Sequence, residues 1–282
     1  MTLPIPLIDH VIVNARDRLD DSAALWSRLG FQLTPRGHHT LGSSNNLAIL
    51  GNDYIELLGV QNGAGRTDVL DWPAGLNGLV FKTLDSDALH EALRGADVPV
   101  LPPQAFSRPV DMGDGRTGEA AFRTVRLEAA AVPAGRMFFC HHLTPELVWH
   151  DPWRRHPNGA IGLAAMLIAA QDPAALGHLF TRMFGADAIA EVEGGITLQT
   201  GLASVEVLSP AAVTARLGTA GPALDGRAQV MAALHVRTQS LARAGAVLQK
   251  AGIITEPAPG PQADHLMVPA SQAGGVALIF QE

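Results

Sequence analysis

The sequence predicts an α+β protein built from four βαβββ modules joined in two pairs. Three observations carry that prediction. A short apolar strand leading to an aspartate occurs twice, as Ile8-Asp9-His10-Val11-Ile12-Val13 before Asp17 and Leu163-Ala164-Ala165-Met166-Leu167-Ile168 before Asp172. Each is followed by an Ala/Leu-rich helical stretch that closes on a glycine, Gly30 or Gly185. Weaker copies of the same start stand at residues 78–83 and 231–236. A repeated unit that cannot bury its own apolar face must stack on a neighbour, so the repeat implies shared cores.

Taken in order, residues 8–14 alternate around His10 and are rich in β-branched side chains, the pattern of a strand. Residues 17–29 read as a helix with Leu19, Ala23 and Trp26 on one stripe, and Gly30 is placed to end it. A short strand at Gln32-Leu33-Thr34, a loop over 37–45, and strands over 46–50 and 54–58 complete the first module. The turn chemistry of Asn62-Gly63 and Trp72-Pro73 makes residues 61–73 a linker to the second module, which runs over 78–142. Residues 143–159 hold Pro145, Pro152, Pro157 and Gly159, which exclude a regular element and mark the domain boundary. Trp149 and Trp153 imply that this crossing is packed. The expected domains are therefore 1–150 and 151–282. The third module covers 160–210 with a strand at 204–208, and the fourth has a helix over 240–251 and strands over 265–269 and 276–280.

With 47% hydrophobic residues among 282, the chain can bury a large core. Its net charge of −7 and the lack of a basic run argue against nucleic acid or an anionic membrane surface as partner. No signal core opens the chain and no run of about 18 apolar residues occurs, so a cytoplasmic protein is expected. The single cysteine, Cys140, cannot form an internal disulfide, and it reads as a core residue.

Strand parity sorts the first module into a helix side and a cavity side. Val11, Val13, Ile55 and Leu57 take the helix side, leaving His10, Ile12, Asn14, Tyr54, Glu56 and Leu58 to the cavity. His10 and Glu56 then share one concave surface, as two of the three or four ligands a divalent ion needs. The facing strand ends in His141-His142, of which parity admits one. Such a two-His, one-carboxylate set suits Fe(II) and is usable by Zn²⁺ or Mn²⁺. Without an ion, His10 and Glu56 would satisfy each other as a hydrogen-bonded pair able to act as acid and base. The loop carrying His39, Ser43 and Asn45 offers donors for a substrate oxygen, or forms a turn with Asx chemistry.

The segments Ile8-Asp9-His10-Val11, Leu29-Gly30-Phe31, His39-Thr40-Leu41-Gly42-Ser43-Ser44-Asn45, Tyr54-Ile55-Glu56-Leu57-Leu58 and Cys140-His141-His142-Leu143-Thr144-Pro145-Glu146 resemble the glyoxalase-like domain proteins of the vicinal oxygen chelate superfamily. The resemblance implies paired βαβββ modules forming open barrels around a divalent metal that chelates adjacent substrate oxygens. It favours His142 over His141, because the histidine before Leu-Thr-Pro-Glu is the usual one in such sequences. The implied metal ligands and catalytic residues are His10, Glu56 and His142, with His39, Ser43 and Asn45 at the substrate and Zn, Mn or Fe as the ion. Gly78 stands where a second-module histidine is usual, and in the C-terminal pair Ala165 matches His10, Ile279 offers no ligand and Glu206 alone matches Glu56, so that half reads as a degenerate scaffold. The expected function is metal-assisted lyase, isomerase or dioxygenase chemistry on a small oxygenated molecule, with the site in the N-terminal pair. The rival is a metal-free protein that sequesters a drug-like or aromatic ligand, as the bleomycin-resistance members do. A small molecule is the expected partner in either case, and pairing of modules within one chain or across a homodimer is left open.

Overall fold

Alternation along the first strand, β1 (Ile8–Arg16), sends Val11 and Val13 into one apolar cluster and Ile12 into another on the opposite face. The computed structural model describes residues 3–60, 65–111, 115–257 and 265–282, and among them lie two eight-stranded sheets. Across the first sheet the strands run β2 (Gly37–His38), β3 (Ser44–Ile49), β4 (Tyr54–Gly59), β1, β5 (Gly75–Lys82), β8 (Arg136–His142), β7 (Thr117–Arg126) and β6 (Gln104–Asp111). The second repeats that order with β10 (Ile189–Val192), β11 (Gly195–Thr200), β12 (Ala203–Leu208), β9 (Ala160–Ala170), β13 (Gln229–Thr238), β16 (Ala277–Gln281), β15 (His265–Val268) and β14 (Glu256–Pro257). In each, the first and last strands of a module pair in parallel, and the two modules meet antiparallel at β1/β5 or β9/β13. This is the α+β architecture of paired βαβββ modules.

The helices are α1 (Leu19–Arg28), α2 (Thr67–Leu70), α3 (Ser86–Gly95), α4 (Pro173–Phe184), α5 (Pro210–Leu217) and α6 (Leu241–Lys250). Asp172 caps α4 by accepting from Ala175 N–H, and Ser240 caps α6 through Arg243 N–H. The matching Asp17 does not cap: Arg16 turns to φ 54°, and α1 starts after Arg18 without a side-chain cap. Gly30 ends α1 at φ 89°, where a Cβ would lie 2.8 Å from that of Asn158. Gln32-Leu33-Thr34 is not a strand. Thr34 instead lends its hydroxyl to Leu47 N–H and its carbonyl to Asn46, and the edge strand forms later as a hairpin between Gly37–His38 and Ser44–Asn45. Of the linker, residues 61–64 lie outside the described residues, and α2 follows, held by Asn14 Nδ2 donating to the Val69 carbonyl at 2.9 Å.

The helix-side faces of both sheets merge into one core. Phe31 of the first module lies 6.0 Å from Phe280 of the fourth, and Phe184 of the third packs 4.9 Å from Phe81 and 5.8 Å from Phe139 of the second. Side chains of this size are worth about 1.5–3 kcal/mol each when buried. The crossing over 143–159 is packed, with Val148 buried and the Trp149 ring 4.5 Å beneath Lys82 Nζ. It is also bonded to the N-terminal half: His156 accepts from Gln32 N–H at 3.0 Å and donates to the Ile49 carbonyl at 2.8 Å. No helix among the described residues is long and apolar enough to cross a membrane.

Candidate active site

Three side chains on parallel neighbours start the site. The register pairs His10 with Tyr54 and Ile12 with Glu56, so the imidazole and the carboxylate stand one step apart on the concave face. Both are buried, at 3% and 6% exposure, and His10 Nε2 lies 3.6 Å from Glu56 Oε2. Tyr54 stacks on the imidazole with ring centroids 4.3 Å apart.

Alternation would turn Asp9 to the helix side, and it does not go there. The β1/β5 register steps from Ile8↔Phe81 to His10↔Val80, which leaves Asp9 as the extra residue of a bulge. The bulge re-aims its carboxylate beside His10, whose Nδ1–H donates to Asp9 Oδ1 at 2.7 Å. His142 Nε2–H donates to the same oxygen at 2.9 Å, and Lys82 Nζ stands 3.6 Å from the other. Burial would raise the Asp9 carboxyl, but the bonds and charge of the two imidazoles outweigh it and hold the group well below the usual carboxylate range.

Glu56 is held from the other side. Asn45 Nδ2 donates to Oε1 at 2.6 Å, and the second Asn45 hydrogen points at His39 Nε2, 3.2 Å away. His39 Nδ1–H then donates to Ser43 Oγ at 2.9 Å, closing the chain. Burial pushes the His39 imidazole down to about 4 although Glu56 draws it up, so it is neutral at pH 7. Glu56 is lowered from its ordinary value because the attraction of His10 and His39 and the Asn45 bond overcome the penalty of burial.

These groups open on a cavity of about 170 Å³ whose apolar wall includes Ile12, Leu47, Phe106, Phe122 and Phe138. The edge strands approach each other at its rim, where Thr40 N–H donates to the Ser107 carbonyl at 3.0 Å, so the first sheet curls almost into a barrel. Next to that seam Arg108 is buried at 6% exposure and forms no hydrogen bond or ion pair with a described residue. Gly37 makes room for it: a Cβ there would sit 3.1 Å from Arg108 Nη1. Burial lowers the guanidinium, and Tyr54 and Glu56 act on it in the opposite sense.

The expected residues thus fall into two groups. His10, Glu56, His39, Ser43 and Asn45 line the cavity together, with the last three bonded to one another and to Glu56. His142, not His141, turns to the concave side, but its Nε2 meets Asp9 and not the His10–Glu56 pair. Among the described residues, one set of three donors lies mutually within 4.8 Å, Asp9, Cys140 and His142. Its sulfur is held protonated by burial, which raises the Cys140 thiol well above its ordinary value. Asp9 was hidden from sequence reasoning by the bulge. Arg136 was also missed, although it shares the parity of Phe138 and His142 on β8 and alternation could have found it.

A metal implied by this fold fits the His10–Glu56 pair on one observation. Asp9 holds His10 Nδ1, so Nε2 is the ring nitrogen left to face Glu56 Oε2 at 3.6 Å, and an imidazole nitrogen and a carboxylate oxygen converge on one point as two ligands of a divalent ion would. The carboxylate behind His10 and the amide behind Glu56 orient them as second partners of metal ligands do. The other module adds nothing: across the β1/β5 pseudo-twofold, His10 and Glu56 correspond to Gly78 and Phe138.

The glyoxalase-like domain family matches residues 8–184. A comparison with curated proteins returns no match. Among solved structures, a hypothetical protein from Staphylococcus aureus superposes with a TM-score of 0.67 at 14% identity, covering 99% of both chains. A mutant of 4-hydroxymandelate synthase from Streptomyces coelicolor gives 0.61 at 12% identity over 99% of this chain and 92% of that one. A fusion of a xylose isomerase-like TIM barrel with 4-hydroxyphenylpyruvate dioxygenase gives 0.58 at 12%, and the chain covers 99% of itself and 49% of that protein. These likenesses show the shared fold, and the family match covers more than half of the sequence; the chain belongs to the glyoxalase-like domain family of the vicinal oxygen chelate superfamily.

Proposed function

We propose that the N-terminal cavity is the active site of a metal-assisted enzyme acting on a small oxygenated molecule, by lyase, isomerase or dioxygenase chemistry. The facing atoms His10 Nε2 and Glu56 Oε2 carry this reading. They would hold a divalent ion, Zn, Mn or Fe, which when bound supplies Lewis-acid polarisation of substrate oxygens. Asp9 fixes the His10 tautomer, and Asn45 fixes one oxygen of Glu56. Tyr54 keeps water from the imidazole face. The guanidinium of Arg108, without a partner among the described residues, stabilises negative charge that develops on the substrate beside Glu56. The dioxygenase-type enzymes that share the fold agree with this reading.

A second reading, metal-free binding of a drug-like or aromatic ligand, is favoured by Gly78 and Phe138 at the corresponding positions of the second module. Metal content separates the two. After incubation with Zn²⁺, Mn²⁺ or Fe²⁺ and desalting, the wild type should retain about one ion per chain, Glu56→Gln close to none, and Cys140→Ser the wild-type amount. Equal, near-zero content in wild type and Glu56→Gln selects the binding protein. Loss in Cys140→Ser alone moves the ion to the Asp9–Cys140–His142 cluster.

A further inference from the structure

One row of the first sheet runs Glu56, Ile12, Gly78, Arg136 across β4, β1, β5 and β8, all at the same height. Gly78 has no side chain, and a Cβ there would lie 2.7 Å from Ile12 Cδ1, so the Ile12 side chain lies across Gly78 and forms the apolar floor between Glu56 and Arg136. The next row places Arg126 of β7 beside Phe138 of β8. Arg126 and Arg136 both line the cavity, together with Arg66 and Asp68.

At this end of the cavity three guanidiniums stand around one carboxylate, and that carboxylate is already used. Arg66 donates to Asp68 from Nε at 2.6 Å and from Nη2 at 2.7 Å. Arg136 is anchored by Nε–H donating to Asn77 Oδ1 at 3.0 Å, which leaves Nη2 sealed from solvent without a partner among the described residues. The Arg126 guanidinium forms no hydrogen bond or ion pair with a described residue. Burial pushes Arg136 down to about 10, a value at which it still carries its charge at pH 7. Buried guanidinium donors left unsatisfied are costly, and the groups that satisfy them best are oxyanions, which a pair of such forks binds in a fixed orientation.

We infer that the molecule taken by this cavity is an organic anion, whose carboxylate or phosphate oxygens rest on Arg126 and Arg136 while its uncharged part lies over Ile12 toward His10 and Glu56. This names the substrate class for the function proposed above and rests on that reading for the second half of the placement only. The body is of the size of one six-membered ring, since an apolar cavity of about 150 Å³ holds benzene and this one measures about 170 Å³.

Calorimetric titration of the full-length protein with benzoate, benzamide and phenyl phosphate tests it. The wild type should bind benzoate at least tenfold more tightly than benzamide, its neutral analogue. Arg136→Gln and Arg126→Gln should each cut that preference below about threefold, with benzamide affinity unchanged as the sign that the cavity is intact. Glu56→Gln, which removes the metal ligand, should keep the preference or increase it. Tighter binding of phenyl phosphate than of benzoate assigns the subsite to phosphate esters, and the reverse assigns it to carboxylic acids. A wild type that binds benzamide as well as benzoate overturns the inference, whatever the variants do. A preference lost in Glu56→Gln but kept in both arginine variants also overturns it, because the acid would then sit on the ion; the metal-assisted function would survive that result.

Discussion

The two halves of the chain fold the same sheet and use its concave face in opposite ways. In the first, His10, Glu56 and Arg136 face a cavity; at the corresponding register positions of the second stand Ala165, Glu206 and Ala277. Glu206 is bound by Arg216 of α5, and Val213 and Leu217 of that helix pack with Leu167, Ala233 and Ile279 over the concave face. In the first half the single turn of α2 lies in that region, and it sends only Val69 and the partly buried Leu70 to the concave cluster. The lesson is that an inward carboxylate does not make a site. Glu56 faces an imidazole and an open space, and Glu206 faces a permanent counter-ion and a plug.

That contrast can be broken experimentally, most forcefully at the two glutamates. Glu56→Gln should reduce metal content and turnover by two orders of magnitude or more, while Glu206→Gln stays within about twofold, as distant independent sites rarely couple by more than ~0.5 kcal/mol. A larger functional loss at Glu206 would put the site in the other half. Next in size is the plug. Leu217→Ala should destabilise the protein by about 2–4 kcal/mol in denaturant unfolding and leave benzoate affinity unchanged; a shift in affinity would mean that the two concave faces communicate. Asp9→Asn keeps the shape behind His10 and removes its charge, and metal affinity should fall about 10–100-fold. An unchanged affinity would show that the bulge serves packing alone.

The smallest expected effect lies where the halves meet. Asp53, in the turn before β4, accepts from Leu163 N–H of β9 at 3.1 and 3.2 Å, and burial raises its carboxyl to about 6 against that bond. Folded, Asp53 keeps its proton to about pH 6, whereas an unfolded aspartate releases it near 3.8, so stability falls as pH rises through that interval. Asp53→Asn retains the acceptor and removes the penalty. It should be more stable than wild type by about 1–2 kcal/mol above pH 6, with the gain vanishing below pH 4. A gain that does not depend on pH would assign the effect to packing at the seam.

Much of this was legible in the sequence where periodicity alone decides. The module starts at residues 8 and 163, the inward set of Ile12, Tyr54 and Glu56, and the ending of α1 at Gly30 follow from alternation and glycine geometry. What was not legible depends on departures from period. The Asp9 bulge adds one residue and reverses its facing, and the missing strand at Gln32-Leu33-Thr34 arises because Thr34 bonds Leu47 and Asn46 sideways. Arg108 and Arg126 sit on strands of the second module that the coarse parsing of residues 78–142 did not resolve. The plug helix lies in a proline-led stretch, Pro210–Leu217, whose apolar face only makes sense once a concave sheet is there to receive it.

The core that joins Phe31 to Phe280 also sets the order in which the molecule can be completed. Those residues are 249 positions apart, and Arg28 of α1 likewise bonds the carbonyl of Ala251, 223 positions on. During synthesis the half that carries the cavity emerges first, yet the partner for its helix-side surface is among the last residues made. At about 5–20 residues per second, that surface waits roughly 10–50 s before it can be covered. High contact order slows the search further. The N-terminal half should therefore be the natural client of chaperones that shield nascent chains, and its cavity should form only after the last strand of the other half has docked.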